Sequence, residues 1–332
     1  SLQGLVFEGA GAPMEAAFFR RLLHSLHEQV EFLCANLTPK RNHRTLELLA
    51  IYLAGVALPE MKRAAHWRAL AMRETLANVQ ADLLADGVLV ARHENAIGGT
   101  TDVADHPEFA DRRATKRIGG QEVTDWFTED CTLAELRMLR ARERLPQLRP
   151  GNARFDGLFP IPTFDEILEL ARARSAADGR RIGVYPETKH PSYFDQIGLP
   201  HEGALLSALS RYGFDGADDP VFIQSFEVGN LEALHRKTAI RLIQLVDASG
   251  HPEDRPDLSY ADMMQPEGLA AVARYASGIG PAKDMLLARD VGGALAGSTG
   301  LVARAHQAGL AVHPWTFRAE NMFLPANLRA GA

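Results

Sequence analysis

The chain has 332 residues, 46% of them apolar and 23% charged, which is enough for one large domain or a smaller pair around a buried core. A net charge of -6 withholds the general basic surface that a nucleic-acid backbone needs, although a locally bound cation can still meet a phosphate ester. No apolar run approaches the roughly 20 residues of a membrane span, and no secretory apolar region follows Ser1. The two cysteines, Cys34 and Cys131, stand in no metal or redox spacing and read as buried free thiols.

From Met14 onward, Phe18, Phe19, Leu22, Leu23, Leu26, Val30 and Leu33 recur at helical spacing. Pro39 breaks that run, and Asn42 can cap a second helix carrying Leu46, Leu49, Leu53 and Val56. Pro59 precedes a third helix with Met72, Leu76, Val79 and Leu83 on one stripe, so residues 1–86 are predicted to be all helical. After Asp86-Gly87 the rhythm changes to strand, loop and helix. Strands are expected at 88–91, 182–186, 221–225, 240–245 and 310–316, with helices at 164–173, 203–211, 231–236 and 299–308 between them. That alternation predicts a parallel sheet with covering helices. Between the first two strands lies a polar insert, 97–160, of a length usually kept for function.

Three predicted strand ends carry chemically useful side chains. Arg92-His93-Glu94 follows the first strand, Glu187-Thr188-Lys189 follows the second, and His313-Pro314-Trp315 lies in the last. Glu187 and Lys189 are two apart, so a continuing strand puts a carboxylate and an ammonium on one face. A histidine acid or base, a carboxylate for a hard cation, a lysine for charge neutralisation and an aromatic wall together suit phosphodiester hydrolysis. Each has an ordinary reading as well. A histidine after a strand is more often locally hydrogen-bonded, Glu-Thr-Lys is usually an ion pair, and a lone tryptophan is usually core. His190 and His313 are assigned to structure or solvent.

The phrases themselves resemble the larger bacterial branch of the glycerophosphodiester phosphodiesterase family. They are Gly87-Val88-Leu89-Val90-Ala91-Arg92-His93-Glu94, Trp126-Phe127-Thr128-Glu129-Asp130-Cys131-Thr132-Leu133, Ile161-Pro162-Thr163-Phe164, Tyr185-Pro186-Glu187-Thr188-Lys189, Ile223-Gln224-Ser225-Phe226-Glu227 and Val312-His313-Pro314-Trp315-Thr316. The resemblance spans roughly residues 87–332. It implies a TIM barrel and cation-dependent hydrolysis of glycerophosphodiesters to an alcohol and glycerol 3-phosphate, with Ca²⁺ or Mg²⁺ as the divalent metal. It also implies His93 as a catalytic acid, Glu187 as a metal ligand, Lys189 beside the phosphate and Trp315 on the glycerol side. The branch is often exported, which suggests a periplasmic or secreted protein.

The chain also departs from that family. The opening His-Arg-Gly strand and the Glu-x-Asp strand are not found before His93, and Ala81-Asp82-Leu83 reads as a chance fragment in helical context. The family's last strand, with its Asp-Gly-x-x-Thr-Asp phrase, is not found either. Residues 1–86, through Asn42-His43-Arg44-Thr45, Leu58-Pro59-Glu60 and Trp67, resemble the helical domain of heparinase II/III-type polysaccharide lyases. The expectation is therefore a fusion of two partial sequences, with an incomplete TIM-type α/β barrel keeping family strands three to seven. Its partners would be a small glycerophosphodiester, no nucleic acid and no membrane span, and exposed sheet edges would permit oligomers. Impaired hydrolysis, an inactive remnant and a lyase fragment are the competing functional expectations.

Overall fold

A computed structural model of the protein describes residues 78–318 and 320–329. The chain divides into two units, Ser1–Leu76 and Ala77–Ala332, and the described residues all belong to the second. The helices expected between Met14 and Val56, with Asn42 and Cys34, lie outside the described residues.

The strands are β1 (Asn78–Leu83), β2 (Leu89–Ala91), β3 (Ala114–Ile118), β4 (Gln121–Asp125), β5 (Tyr185–Thr188), β6 (Phe222–Ser225), β7 (Arg241–Val246), β8 (Gly278–Pro281), β9 (Leu287–Arg289), β10 (Leu295–Ser298) and β11 (Ala311–Val312). The main sheet has the order β11-β8-β7-β6-β5-β1-β2. All its neighbours are parallel except β1 and β2, which form an antiparallel hairpin with Ala81 opposite Ala91. The helices are α1 (Leu133–Leu136), α2 (Pro150–Ala153), α3 (Phe164–Asp178), α4 (Pro191–Gln196), α5 (His201–Arg211), α6 (Val228–His235), α7 (Tyr260–Met263), α8 (Pro266–Val272) and α9 (Leu301–Gln307).

Three sequence expectations are corrected. Val79 and Leu83 lie on a strand, not on the tail of a third helix; their spacing of four fits both an i,i+4 stripe and an alternating strand. The strand expected at 88–91 runs against its neighbour and is not part of the parallel series. The 310–316 strand shortens to Ala311–Val312, with Pro314 interrupting and Trp315 resuming as an isolated bridge to Ala282.

Local chemistry explains the covering helices. Thr163 and Glu166 form a reciprocal capping box at the start of α3, and Gly179 ends it at φ +67. Phe164, Leu168 and Ala171, at i, i+4 and i+7, bury against Leu205, Ala208 and Leu209 of α5 and against Ala81 and Leu83 of β1. Truncating Leu168 to alanine would cost about 2–5 kcal/mol. Since Ala81 and Leu83 face these helices, alternation turns Asp82 toward the sheet's other, inner face.

That inner face is closed at the amino-terminal ends of β5, β6 and β7. Tyr185 Oη lies 2.8 Å from His313 Nδ1, the Phe222 ring is 5.0 Å from the His313 ring, and the Arg241 guanidinium caps Phe222 at 4.0 Å. Burial holds the His313 imidazole down at about 4. Gly278 and Gly280 of β8 are part of the same interior. A Cβ on Gly278 would lie 2.9 Å from Ile243, and one on Gly280 would lie 2.5 Å from Leu245.

The 97–160 insert is a folded element. Ile97, Val103, Phe109, Cys131, Leu136 and Leu139 build a second core with Ile161, just past the insert, and with Leu84 and Val90 of the β1–β2 hairpin. Cys131 is a buried free thiol, pushed up to about 11 by burial.

Candidate active site

The site is built where β1 and β5 pair in parallel. Gln80 stands opposite Glu187 in register, and Ala81 stands opposite Thr188. Asp82 is therefore two residues beyond the level of Glu187 and level with Lys189. Glu187 is 3% exposed, and its Oε1 lies 2.8 Å from Lys189 Nζ, so the carboxylate and ammonium expected on one face do meet. The Lys189 ammonium is also 5.6 Å from the Phe226 ring, which packs edge-on against Trp315 at 5.6 Å. Trp315 is fixed by donating from Nε1 to the Gly280 carbonyl at 2.8 Å. Lysine, phenylalanine and tryptophan thus form one continuous wall.

Asp82 is the residue that sequence reasoning missed. It is fully buried, and neither carboxylate oxygen has a hydrogen-bond partner among the described residues. Burial drives its carboxyl up to about 8, against the pull of Arg92, with Glu129, Lys189 and Glu187 also within electrostatic range. An unpartnered buried carboxylate beside a second one is the chemistry a cation would complete. No group of three or more His, Cys, Asp or Glu side chains that could hold a metal occurs among the described residues. Two carboxylates still suit a magnesium- or calcium-type ion that takes its remaining oxygens from water and a phosphate. Asp82 could have been found from the phrase Gln80-Ala81-Asp82, which has the spacing of the family's Glu-x-Asp with glutamine in the first place.

His93 sits elsewhere than a parallel strand end. Because β2 runs antiparallel, its carboxyl end lies beside Ala81 and not above Asp82. The imidazole is exposed, and its Nδ1 is 2.6 Å from Glu94 Oε1, which also takes Arg144 Nη1 at 2.9 Å. The bond to His93 is the main cause holding the Glu94 carboxyl down at about 2, with Arg144 and Lys189 assisting. Lys189 therefore lies within electrostatic range of the carboxylate that orients His93.

Glu129 is a third buried carboxylate in this neighbourhood, and both its oxygens are engaged. Lys116 Nζ donates to it at 3.0 Å, Tyr193 Oη at 2.6 Å and Asn95 Nδ2 at 3.2 Å. Glu227, just past β6, accepts from the Ser192 amide at 3.0 Å while its other oxygen has no partner among the described residues; burial raises its carboxyl to about 8.

A twisted, largely parallel sheet with covering helices, and carboxylates, a lysine and an aromatic wall converging at strand ends, defines a TIM-barrel-like α/β protein. The chain belongs to the glycerophosphoryl diester phosphodiesterase family, whose description matches residues 79–328. A glycerophosphodiester phosphodiesterase of Arabidopsis thaliana is 36% identical over 281 residues, covering 80% of this chain and 73% of the relative. One from Haemophilus influenzae is 27% identical over 256 residues, covering 70% and 68%. A solved Silicibacter pomeroyi structure assigned to the same family agrees in fold with a TM-score of 0.51 at 20% identity, covering 76% of this chain and 77% of its own. A second description, heparinase II/III N-terminus, matches residues 10–111 and so overlaps the first at 79–111.

Proposed function

We propose that this chain is a hydrolase of glycerophosphodiesters, releasing glycerol 3-phosphate and an alcohol. The observation that carries the reading is the Glu187–Lys189 pair near Asp82, which has no hydrogen-bond partner among the described residues, in a chain of this family. Asp82 and Glu187 would hold a divalent cation, Ca²⁺ or Mg²⁺, which when bound supplies positive charge to offset that developing on the phosphoryl oxygens. Lys189 neutralises a further phosphoryl oxygen, and the Phe226–Trp315 wall receives the glycerol carbons. A water oxygen forms the new bond to phosphorus and releases a proton to solvent as the bond to the alcohol breaks, and His93, oriented through Glu94, donates its proton to the departing alcohol oxygen. We read the barrel as incomplete, with β2 and β11 as open edges through which copies could associate. The resembled branch supports a periplasmic or secreted setting. The overlapping matches support reading the residues ahead of β1 as a lyase-like segment fused to the barrel sequence.

The test is release of glycerol 3-phosphate from glycerophosphocholine with Ca²⁺, Mg²⁺ or chelator. Turnover that needs the cation and falls about 10²–10⁴-fold in His93→Ala is expected. Cation-dependent stabilisation of a folded protein without turnover would favour a second reading. In that case the glutamine at position 80 and the departure from His-Arg-Gly have left a binding remnant. Unsaturated uronate products from a polysaccharide would point to lyase ancestry instead.

A further inference from the structure

The β3–β4 hairpin has no role in the hydrolysis described above, yet it is anchored twice to side chains that adjoin the site. Its two-residue turn, Gly119-Gly120, takes φ +58 and +72, the left-handed pair that a tight hairpin requires. The ribbon is two-sided. Thr115, Arg117, Glu122 and Thr124 are exposed, while Lys116 and Ile118 turn inward, Ile118 fully buried. A lone two-stranded ribbon is marginal in water, so its inward contacts decide where it rests.

The first anchor is at its base. Lys116 Nζ donates to Glu129 at 3.0 Å and to Asp130 at 2.7 Å, and Glu129 is one of the charges acting on Asp82. The second is at its tip. Glu253, in the loop after β7, pairs with His190 Nδ1 at 3.2 Å, and its Oε2 lies 3.8 Å from where a Cβ on Gly119 would stand. His190 directly follows Lys189 and is held at φ +45, a left-handed value that side chains rarely adopt. A Cβ on Gly119 would meet the His190 ring at 3.3 Å, so the tip is seated against that ring. Three segments distant in sequence thus converge on one carboxylate.

Resting on the hydrolytic reading, we infer that the 114–125 hairpin is a strap across the carboxyl ends of β5 and β7 that discriminates substrates by the size of their alcohol. Glu253 and His190 are its positioning residues. They touch no reacting atom. By holding the tip beside Lys189 they limit the room left for whatever the phosphate carries.

The experiment disrupts the latch from both sides. Glu253→Ala removes the acceptor, Gly119→Val places a side chain against His190 at a strained φ, and Glu253→Gln keeps an oxygen acceptor for His190. Hydrogen exchange over residues 115–124 is measured with the KM and kcat for glycerophosphoethanolamine and glycerophosphoinositol. Exchange about tenfold faster in both disrupting variants, not in Glu253→Gln, is expected with an unchanged thermal midpoint. The preference for the smaller alcohol should fall about threefold or more, through KM rather than kcat. Faster exchange with an unchanged preference would overturn the strap as a discriminator. Unchanged exchange would overturn the latch itself. A wild type that hydrolyses neither ester would sink the hydrolytic reading, and with it the role in discrimination. The latch then stands only if Glu253→Ala still speeds exchange.

Discussion

The two ends of the barrel interior solve the burial of polar groups in opposite ways. At the amino-terminal end, Tyr185 and His313 satisfy each other at 2.8 Å, and Phe222 and Arg241 fill the space around them. At the carboxyl end, Asp82 is more deeply buried than either and has no hydrogen-bond partner among the described residues. A fold gains nothing from an unpartnered carboxylate, whose desolvation costs stability. The partnered end therefore reads as structure, and the end without partners among the described residues as a place suited to a ligand.

Substitutions can test that contrast. Glu187→Ala should lower cation-dependent turnover by about 10³-fold or more and leave the thermal midpoint nearly unchanged, whereas Tyr185→Phe should cost about 1 kcal/mol of stability and leave kcat alone. Equal loss of activity in both would erase the distinction between the ends. Gln80→Glu, which restores the family's carboxylate opposite Glu187, should tighten Ca²⁺ binding about tenfold by calorimetry. Unchanged affinity would mean that position 80 does not belong to the site.

The smallest effects are those of pH. His201 and His313 are held down at about 3 and 4 by burial, so the unfolded chain takes protons that the folded one refuses. Their contribution is fully present above about 6.5 and is lost as pH falls toward 4. Asp82 and Glu227 are raised to about 8, so the folded chain keeps protons that the unfolded one has released, and stability falls as pH rises from about 4 to 8. Denaturant midpoints should therefore peak in mildly acidic buffer without cation. Saturating Ca²⁺ should flatten the alkaline limb through Asp82. An alkaline limb that ignores the cation would separate Asp82 from any metal.

The parts of the fold legible in the sequence are those where one period dominates. The cores of β5, β6 and β7 are such places, as is Glu187 sharing a face with Lys189. Illegibility has particular causes. In β1, Asn78, Gln80 and Asp82 are poor strand formers, and Val79 and Leu83 extend a helical stripe begun by Met72 and Leu76. That misreading hid Asp82, the most informative residue of the site. The strand β8 escaped because glycine and proline depress strand propensity, although only glycine fits against Ile243 and Leu245 at positions 278 and 280. The β3–β4 ribbon was announced by Gly119-Gly120 between alternating residues and was absorbed into a long polar insert.

The β1–β2 hairpin also works as a ruler. Its turn is fixed by Gly87 at φ +76, with the Leu84 amide donating to Val88 at 3.0 Å and the Gly87 amide donating to Leu84 at 2.9 Å. Asp82 and His93 lie on opposite arms, so the number of residues between them sets the phase of one against the other. Adding or deleting a single residue in that turn would slip the register and turn one arm inside out. Length between positions 83 and 89 is therefore constrained more tightly than residue identity. Where the two matches overlap, what the chain has to preserve is a count.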